Sequence, residues 1–310
     1  MKALVVHNLS AGQRDRGDEI ASAVSRLADA GWNVDIAPPA EGSETQRIIR
    51  QAVRDGLDVV VAAGGDGTVN VAIQALAGQA ATLGVIPTGT GNVWAKEMGI
   101  PLDVRKATEV LLRGWTAVTD LGWANGRYFL SIAGIGFDAS VTRVLKPATK
   151  RRLGLVAYII AGVAEALKLR GEEATIFAEG RSVRRRILMV AVSNTRLYGG
   201  VLKMAPDAFV DDGLLDVSVF RGRGFQATAR HAIKTLLGIH RKDPEVEFFQ
   251  TSRLRLESRL ELPVQLDGDY FGTTPVEIRV APRALKVIIP PLPHPQFIRS
   301  GEGVRALGSE

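Results

Sequence analysis

A run of nearly all Val and Ala, Leu57–Ala63, leads straight into Gly64-Gly65-Asp66-Gly67-Thr68. No other feature limits the fold of this chain as much. A strand of small apolar residues without polar alternation is covered on both faces, and such strands belong to parallel sheets flanked by helices. The surrounding sequence agrees. Lys2–His7, Trp32–Ala37 and Thr82–Ile86 read as further strands. Between them, Gly17–Ala30 carries Ile20, Val24 and Leu27 at helical spacing and stops at Gly31. Thr45–Asp55, Val69–Leu76 and Val93–Met98 read as the other helices. Strand–helix alternation of this kind predicts an α/β domain with a parallel sheet covered by helices on both faces.

The rhythm changes after about Asp120. Tyr128–Ile132, Ala174–Ala178, Arg185–Ser193, Leu215–Phe220, Arg253–Glu257, Pro263–Leu266, Val276–Val280 and Leu285–Ile289 are short strand candidates. Most are separated by turn residues, which predicts a mainly antiparallel β domain interrupted by helices at Leu153–Leu169 and Phe225–Leu237. The expected division is 1–122 for the α/β domain and 123–290 for the β domain. A flexible tail or return segment, 291–310, is rich in Pro at its start.

Composition narrows the chemistry. The 310 residues contain no Cys, so disulfide frameworks, Cys-ligated zinc, iron–sulfur clusters and thiol nucleophiles are excluded. The four histidines, His7, His231, His240 and His294, show no metal spacing and no triad pattern. A net charge of +6 suits an anionic partner without choosing one, and nothing points to nucleic acid. The first residues do not read as a signal peptide, and no run reaches the roughly 18 apolar residues of a membrane span. The expectation is a cytoplasmic protein whose contact with any membrane is peripheral.

The glycine loop carries the functional signal. Glycines at the carboxyl end of a parallel strand let the backbone approach a phosphate, and the following helix offers N–H groups and the positive end of its dipole. Asp66 would repel a bare phosphate but is sensible beside a phosphate-bound Mg²⁺. A second loop of the same design, Pro87-Thr88-Gly89-Thr90-Gly91-Asn92, follows the next strand. Two such loops on neighbouring strands suit a triphosphate. No Gly-Lys-Ser/Thr is present, which excludes a Walker-type site. Gly134-Ile135-Gly136-Phe137-Asp138-Ala139 has the dinucleotide spacing, but no second strand ending in an acid follows it, so it reads as a decoy.

Both loops resemble those of the diacylglycerol kinase catalytic domain family, which includes bacterial lipid kinases and is related to sphingosine kinases. Other matching stretches are His7–Gly12, Thr119–Gly122, Ala133–Ala139, Leu153-Gly154 with Tyr158, Ala208–Leu214 and Leu266–Asp269. The resemblance implies a nucleotide-binding α/β domain followed by a β-sandwich, and an ATP- and Mg²⁺-dependent kinase acting on a lipid hydroxyl, most simply diacylglycerol. It implies ATP contacts at Asn8, Gly64, Gly65, Asp66, Gly67, Thr68, Val69, Asn70, Val71 and Thr90. By the same resemblance a structural Mg²⁺ is held by Asp212 with the carbonyls of Phe209 and Leu214. Asp120 belongs to a carboxylate–water network that reaches the catalytic metal. Asp269 takes the place of the family's Glu as proton acceptor. A family Thr after the second strand is replaced here by Ala37-Pro38-Pro39. Read without the resemblance, Asp211-Asp212-Gly213 is an ordinary polar turn and Asp267-Gly268 a hairpin turn.

Two basic clusters could face an anionic leaflet: Arg143, Lys146, Lys150, Arg151 and Arg152, and Arg181, Arg184, Arg185 and Arg186. The helix Leu153–Leu169 reads as buried. The partners expected are a lipid alcohol and a membrane surface, with a homodimer left open. The alternatives are an NAD kinase, which shares the first glycine loop, and a catalytically silent nucleotide-binding protein at the membrane.

Overall fold

The structure is a computed structural model and describes residues 1–7, 16–144, 171–290 and 305–306. The helix expected at Leu153–Leu169, the basic residues Lys146 and Lys150–Arg152, Asn8 and His294 lie outside the described residues. The chain forms two compact units, 1–121 with 209–212 and 281–310, and 122–208 with 213–280.

In the first unit, β1 (Lys2–His7), β2 (Asn33–Ile36), β3 (Val59–Gly64) and β4 (Thr82–Pro87) form a parallel sheet in the order β2-β1-β3-β4. The helices are α1 (Gly17–Asp29), α2 (Gly42–Arg54), α3 (Asp66–Leu76), α4 (Val93–Glu97) and α5 (Val104–Arg113). Period-two alternation sends Ala3, Val5, Val59, Val61 and Ala63 into one core with Ile20, Ala23 and Leu27 of α1 and Val104, Val110 and Leu111 of α5. The α2 and α3 helices pack against each other, and β3 and β4 are buried along their whole length. The strand β5 (Trp115–Ala124) begins in this unit, and its first residues pair with β18 (Arg305–Ala306).

The second unit is antiparallel throughout. It contains β6 (Arg127–Phe129), β7 (Ile132–Gly136), α6 (Phe137–Val144), β8 (Glu172–Ala178), β9 (Arg181–Ser193), β10 (Leu197–Tyr198) and β11 (Leu202–Lys203). After these come β12 (Leu215–Arg221), α7 (Gly224–Leu236), a 3-10 turn at His240–Lys242, β13 (Val246–Thr251), β14 (Arg253–Ser258), β15 (Pro263–Leu266), β16 (Asp269–Thr273) and the first residues of β17 (Val276–Ile289), whose later residues belong to the first unit and pair in parallel with β4 at Lys286 and Val287. The main sheet runs β16-β15-β7-β9-β8-β14-β17, with β12 beside β9 and β13 beside β12. Leu, Ile and Val at alternate positions of β8, β9, β12, β14, β15 and β17 fill its core. The expected fold class therefore holds: an α/β unit with parallel strands, then a mainly antiparallel β unit.

Several local expectations need correction. The run Tyr128–Ile132 is two strands, because Leu130 and Ser131 give their N–H groups to a side chain instead of a ladder. Val276–Val280 and Leu285–Ile289 are one strand, β17, which passes Pro282 with Arg283 at φ +53°. The pattern does not single out helices α5 and α6 or strands β5, β10, β11, β13 and β16. For α5 a signal exists: the Asp103 carboxylate caps it by accepting from the Lys106 N–H at 2.9 Å.

Candidate functional site

The first unit brings the two glycine loops together. Gly64 pairs with Pro87 across β3 and β4, and the Thr88 N–H donates to the Gly64 carbonyl at 3.0 Å. A Cβ on Gly89 would lie 2.4 Å from the Gly65 Cα, and one on Gly64 would lie 2.1 Å from Thr68 Oγ1. Both positions must therefore be glycine for the loops to close. Asn92, at φ +48°, fixes the second loop: its Nδ2 donates to the Gly89 carbonyl (2.8 Å) and its Oδ1 accepts from the Gly89 N–H (3.1 Å).

Asp66 is not the N-cap of α3. That position is Gly65, and Asp66 is the first helical residue. Its carboxylate reaches the other loop, where Oδ1 accepts from the Trp94 N–H at 3.2 Å and so caps the first turn of α4. Oδ2 lies where a Cβ on Gly91 would come within 2.8 Å. Burial pushes the Asp66 carboxyl up, against N–H donation from Trp94 and Val93 and the nearby Lys96 ammonium. Thr68 and Thr88 each hold a buried hydroxyl with no hydrogen-bond partner among the described residues. Gly67 and Thr90 are exposed, whereas Val69 and Asn70 are buried on α3. Small residues, two unpartnered hydroxyls and a helix N-terminus fit the oxygens of a polyphosphate. A single carboxylate fits a Mg²⁺ that takes its other ligands from phosphate and water.

Asp120 lies on β5 and is 1% exposed. Its N–H donates to the Val210 carbonyl at 2.6 Å, and its Oδ1 accepts from the Arg283 N–H at 2.7 Å. The Asp120 backbone thus ties β5 to the segment 209–212, and its buried carboxylate ties β5 to β17. Phe209 and Asp212 belong to that segment and are half-buried, while Leu214 belongs to the second unit. Among the described residues no three His, Asp or Glu side chains form a metal cluster.

In the second unit Asp267 and Gly268 turn between β15 and β16 with φ of +51° and +85°, the two left-handed residues of a type I′ turn. The Asp267 carboxylate accepts three backbone N–H groups: Leu130 at 2.7 Å, Ser131 at 2.8 Å and Ile132 at 3.1 Å. Asp269 opens β16 and is exposed.

A second tie on this hairpin escaped pattern reading. The Gly268 N–H donates to Gln265 Oε1 at 2.6 Å, and Gln265 Nε2 donates to Asp138 Oδ2 at 2.7 Å. The Tyr198 hydroxyl donates to Asp138 Oδ1. Burial pushes the Asp138 carboxyl up, although the Tyr198 and Gln265 donors favour its ionised form. A Cβ on Gly134 would lie 2.1 Å from Asp138 Oδ2, so the glycine makes room for the tie. The decoy segment thus has a strand and then a helix, but β7 pairs only antiparallel, with β9 and β15. The available signal was polar residues in apolar settings: Asp138 beginning α6, and Gln265 buried in β15.

Two of the histidines are structural: His231 Nε2 meets the Arg221 carbonyl at 2.8 Å and His240 Nε2 the Met204 carbonyl at 3.0 Å. The second basic cluster is largely paired. Arg184 and Arg186 meet Glu173, and Arg185 meets Glu247 at 2.7 Å.

Known proteins match this chain over nearly its whole length. The family described as diacylglycerol kinase catalytic domain matches residues 2–124. The one described as YegS C-terminal NAD kinase beta sandwich-like domain matches 131–289. A diacylglycerol kinase of Bacillus subtilis is 31% identical, over 93% of this chain and 96% of its own. A diacylglycerol kinase of Mycobacterium tuberculosis is 34% identical, over 86% and 88%. Two crystal structures from Bacillus anthracis superpose with TM-scores of 0.80 and 0.74. They are 25% and 24% identical and are covered over 95% and 97% of their length by 94% of this chain. With both halves matched, the chain belongs to the lipid kinase family built from a diacylglycerol kinase catalytic domain and a YegS-type C-terminal domain, whose members are ATP-using phosphotransferases.

Proposed function

We propose that the protein transfers the γ-phosphoryl group of ATP to the hydroxyl of diacylglycerol, giving phosphatidic acid for phospholipid synthesis. The observation that carries this reading is the loop pair closed at Gly65 and Gly89, with unpartnered Thr68 and Thr88 hydroxyls and the Asp66 carboxylate beside it. The relatives named diacylglycerol kinase support the choice of lipid.

In this reading residues 1–122 bind ATP and 123–290 take the lipid. Gly64, Gly65, Gly67, Thr68 and Thr90, with Asn8, cradle the triphosphate, and Val69, Asn70 and Val71 support that cradle from α3. Asp66 would hold a Mg²⁺, which when bound neutralises developing charge on the phosphates. Asp120 would belong to a carboxylate–water network that reaches that metal, and Asp212 with the carbonyls of Phe209 and Leu214 would hold a second, structural Mg²⁺. Asp269 accepts the proton of the lipid hydroxyl as its oxygen bonds to the γ-phosphorus and the bond to ADP breaks. Most of the rate then comes from positioning and charge stabilisation. The protein works in the cytoplasm at the inner leaflet.

Radiolabelled ATP offered with mixed micelles of diacylglycerol, a sphingoid base or phosphatidylglycerol, and with NAD, tests the reading. Label in phosphatidic acid supports it. Label only in another lipid replaces the substrate, and label only in NADP removes the lipid reading. ATP binding with no transfer to any acceptor would favour a silent nucleotide-binding protein.

A further inference from the structure

The helix α7 is inside out. The residues it buries are Thr228, His231 and Thr235, while Phe225, Ile233 and Leu236 face outward, followed by Leu237 and Ile239. Ile233 is 58% exposed, Leu236 73% and Leu237 64%. A helix on a water-facing surface normally buries its apolar stripe.

The inversion is built in. Asp243, 3% exposed, meets Arg230 at 3.3 Å, Lys234 at 3.2 Å and His231 Nδ1 at 3.5 Å. Burial pushes the Asp243 carboxyl up, but the Glu245 N–H, Lys234 and Arg230 outweigh it and hold it below its usual range. His231 also packs edge-on against Phe220. The polar side of α7 is thus clamped to the protein, which fixes the apolar side outward.

Charge selects the occupant. From Val217 to Lys242 the chain has no Asp or Glu, and it carries Arg221, Arg223, Arg230, Lys234, Arg241 and Lys242. Arg223 and Lys242 are exposed and have no ion-pair partner among the described residues. A second copy of the chain would bring like charges together on this face. An anionic bilayer offers apolar depth for the side chains and phosphates for the cations.

We infer that α7 and the turn after it, residues 223–242, form the surface that docks the enzyme on an anionic membrane. Ile233, Leu236, Leu237 and Ile239 enter the headgroup boundary, and Arg223 and Lys242 meet lipid phosphates. The inference rests on the lipid kinase reading, and its test separates the two.

Sedimentation of the full chain with vesicles of phosphatidylcholine and phosphatidylglycerol provides the readout. I233Q/L236Q/L237Q should weaken vesicle binding by about tenfold or more. R223E/K242E should weaken it by about tenfold at low salt, with the difference closing at high salt. Both variants should keep wild-type turnover on a short-chain lipid dispersed below its micellar concentration. Wild-type vesicle affinity in both variants would overturn the inference. So would a wild-type dimer that dissociates in the apolar variant while vesicle binding is unchanged, since the face would then join two copies. Loss of vesicle binding in variants of a wild type that phosphorylates no lipid would uphold the docking surface and remove the lipid kinase reading instead.

Discussion

The glycine loops of the first unit and the Asp267–Asp269 hairpin of the second treat their carboxylates in opposite ways. In the loops, the one acid, Asp66, gives an oxygen to a helix N-terminus while the neighbouring Thr68 and Thr88 hydroxyls go unpartnered. In the hairpin, Asp267 and Asp138 are engaged by backbone, amide and phenol donors, and Asp269 alone is exposed. Polar groups left unpaired in a close-packed site carry a cost that a ligand can relieve. Polar groups fully paired make a rigid mount for a neighbour. The first region is thus organised to receive charge, and the second to present a single acid.

The largest effect that could break this contrast belongs to Asp66. D66N should abolish lipid phosphorylation, with a loss on the order of 10³ or more if the carboxylate holds the metal beside the phosphates. The amide oxygen can still accept the Trp94 N–H, so thermal unfolding should stay close to wild type. Turnover near the wild-type value would remove the metal role, and a failure to fold would make Asp66 structural.

D267A should act on stability. It leaves three backbone N–H groups without their carboxylate, and a loss of about 3 kcal/mol is expected from charge-assisted hydrogen bonds of this kind. Urea denaturation measures it. An unchanged midpoint would show that water replaces the carboxylate and that the hairpin mount is soft.

The smallest effect concerns Asp138. Burial raises its carboxyl above the ordinary aspartate range. A raised acid binds its proton more tightly in the folded state, so wild type gains stability as pH falls through the window above the ordinary aspartate value and loses it as pH rises. D138N has no proton to bind. The stability of wild type relative to D138N should therefore decline with rising pH across that window, by about 1.4 kcal/mol for each pH unit the window spans. A flat difference would mean that the Tyr198 and Gln265 donors cancel the burial.

The sequence made the first region legible almost residue by residue. Gly64–Thr68 and Pro87–Asn92 announce themselves because close backbone approach leaves glycine as the workable residue at Gly64 and Gly89. The second region was legible only as a turn. Its support comes from Leu130–Ile132, Asp138 and Tyr198, far along the chain from Asp267, and no local period records such pairings. Pattern also failed where a side chain replaces a ladder bond, as Asp267 does at Leu130, and where a helix is inverted, as in α7. A helical period there announces the element but not which face is buried.

The division of labour can be tested most directly by measuring MgATP affinity and turnover separately in D269A. If Asp269 only accepts the lipid proton, D269A should bind MgATP as wild type does and lose kcat by a factor on the order of 10²–10⁴, with D269E recovering activity. Equal, near-wild-type turnover in D269A and D269E would contradict the account. So would a loss of MgATP affinity in D269A that matches its loss of turnover, because the hairpin would then be part of the phosphate site.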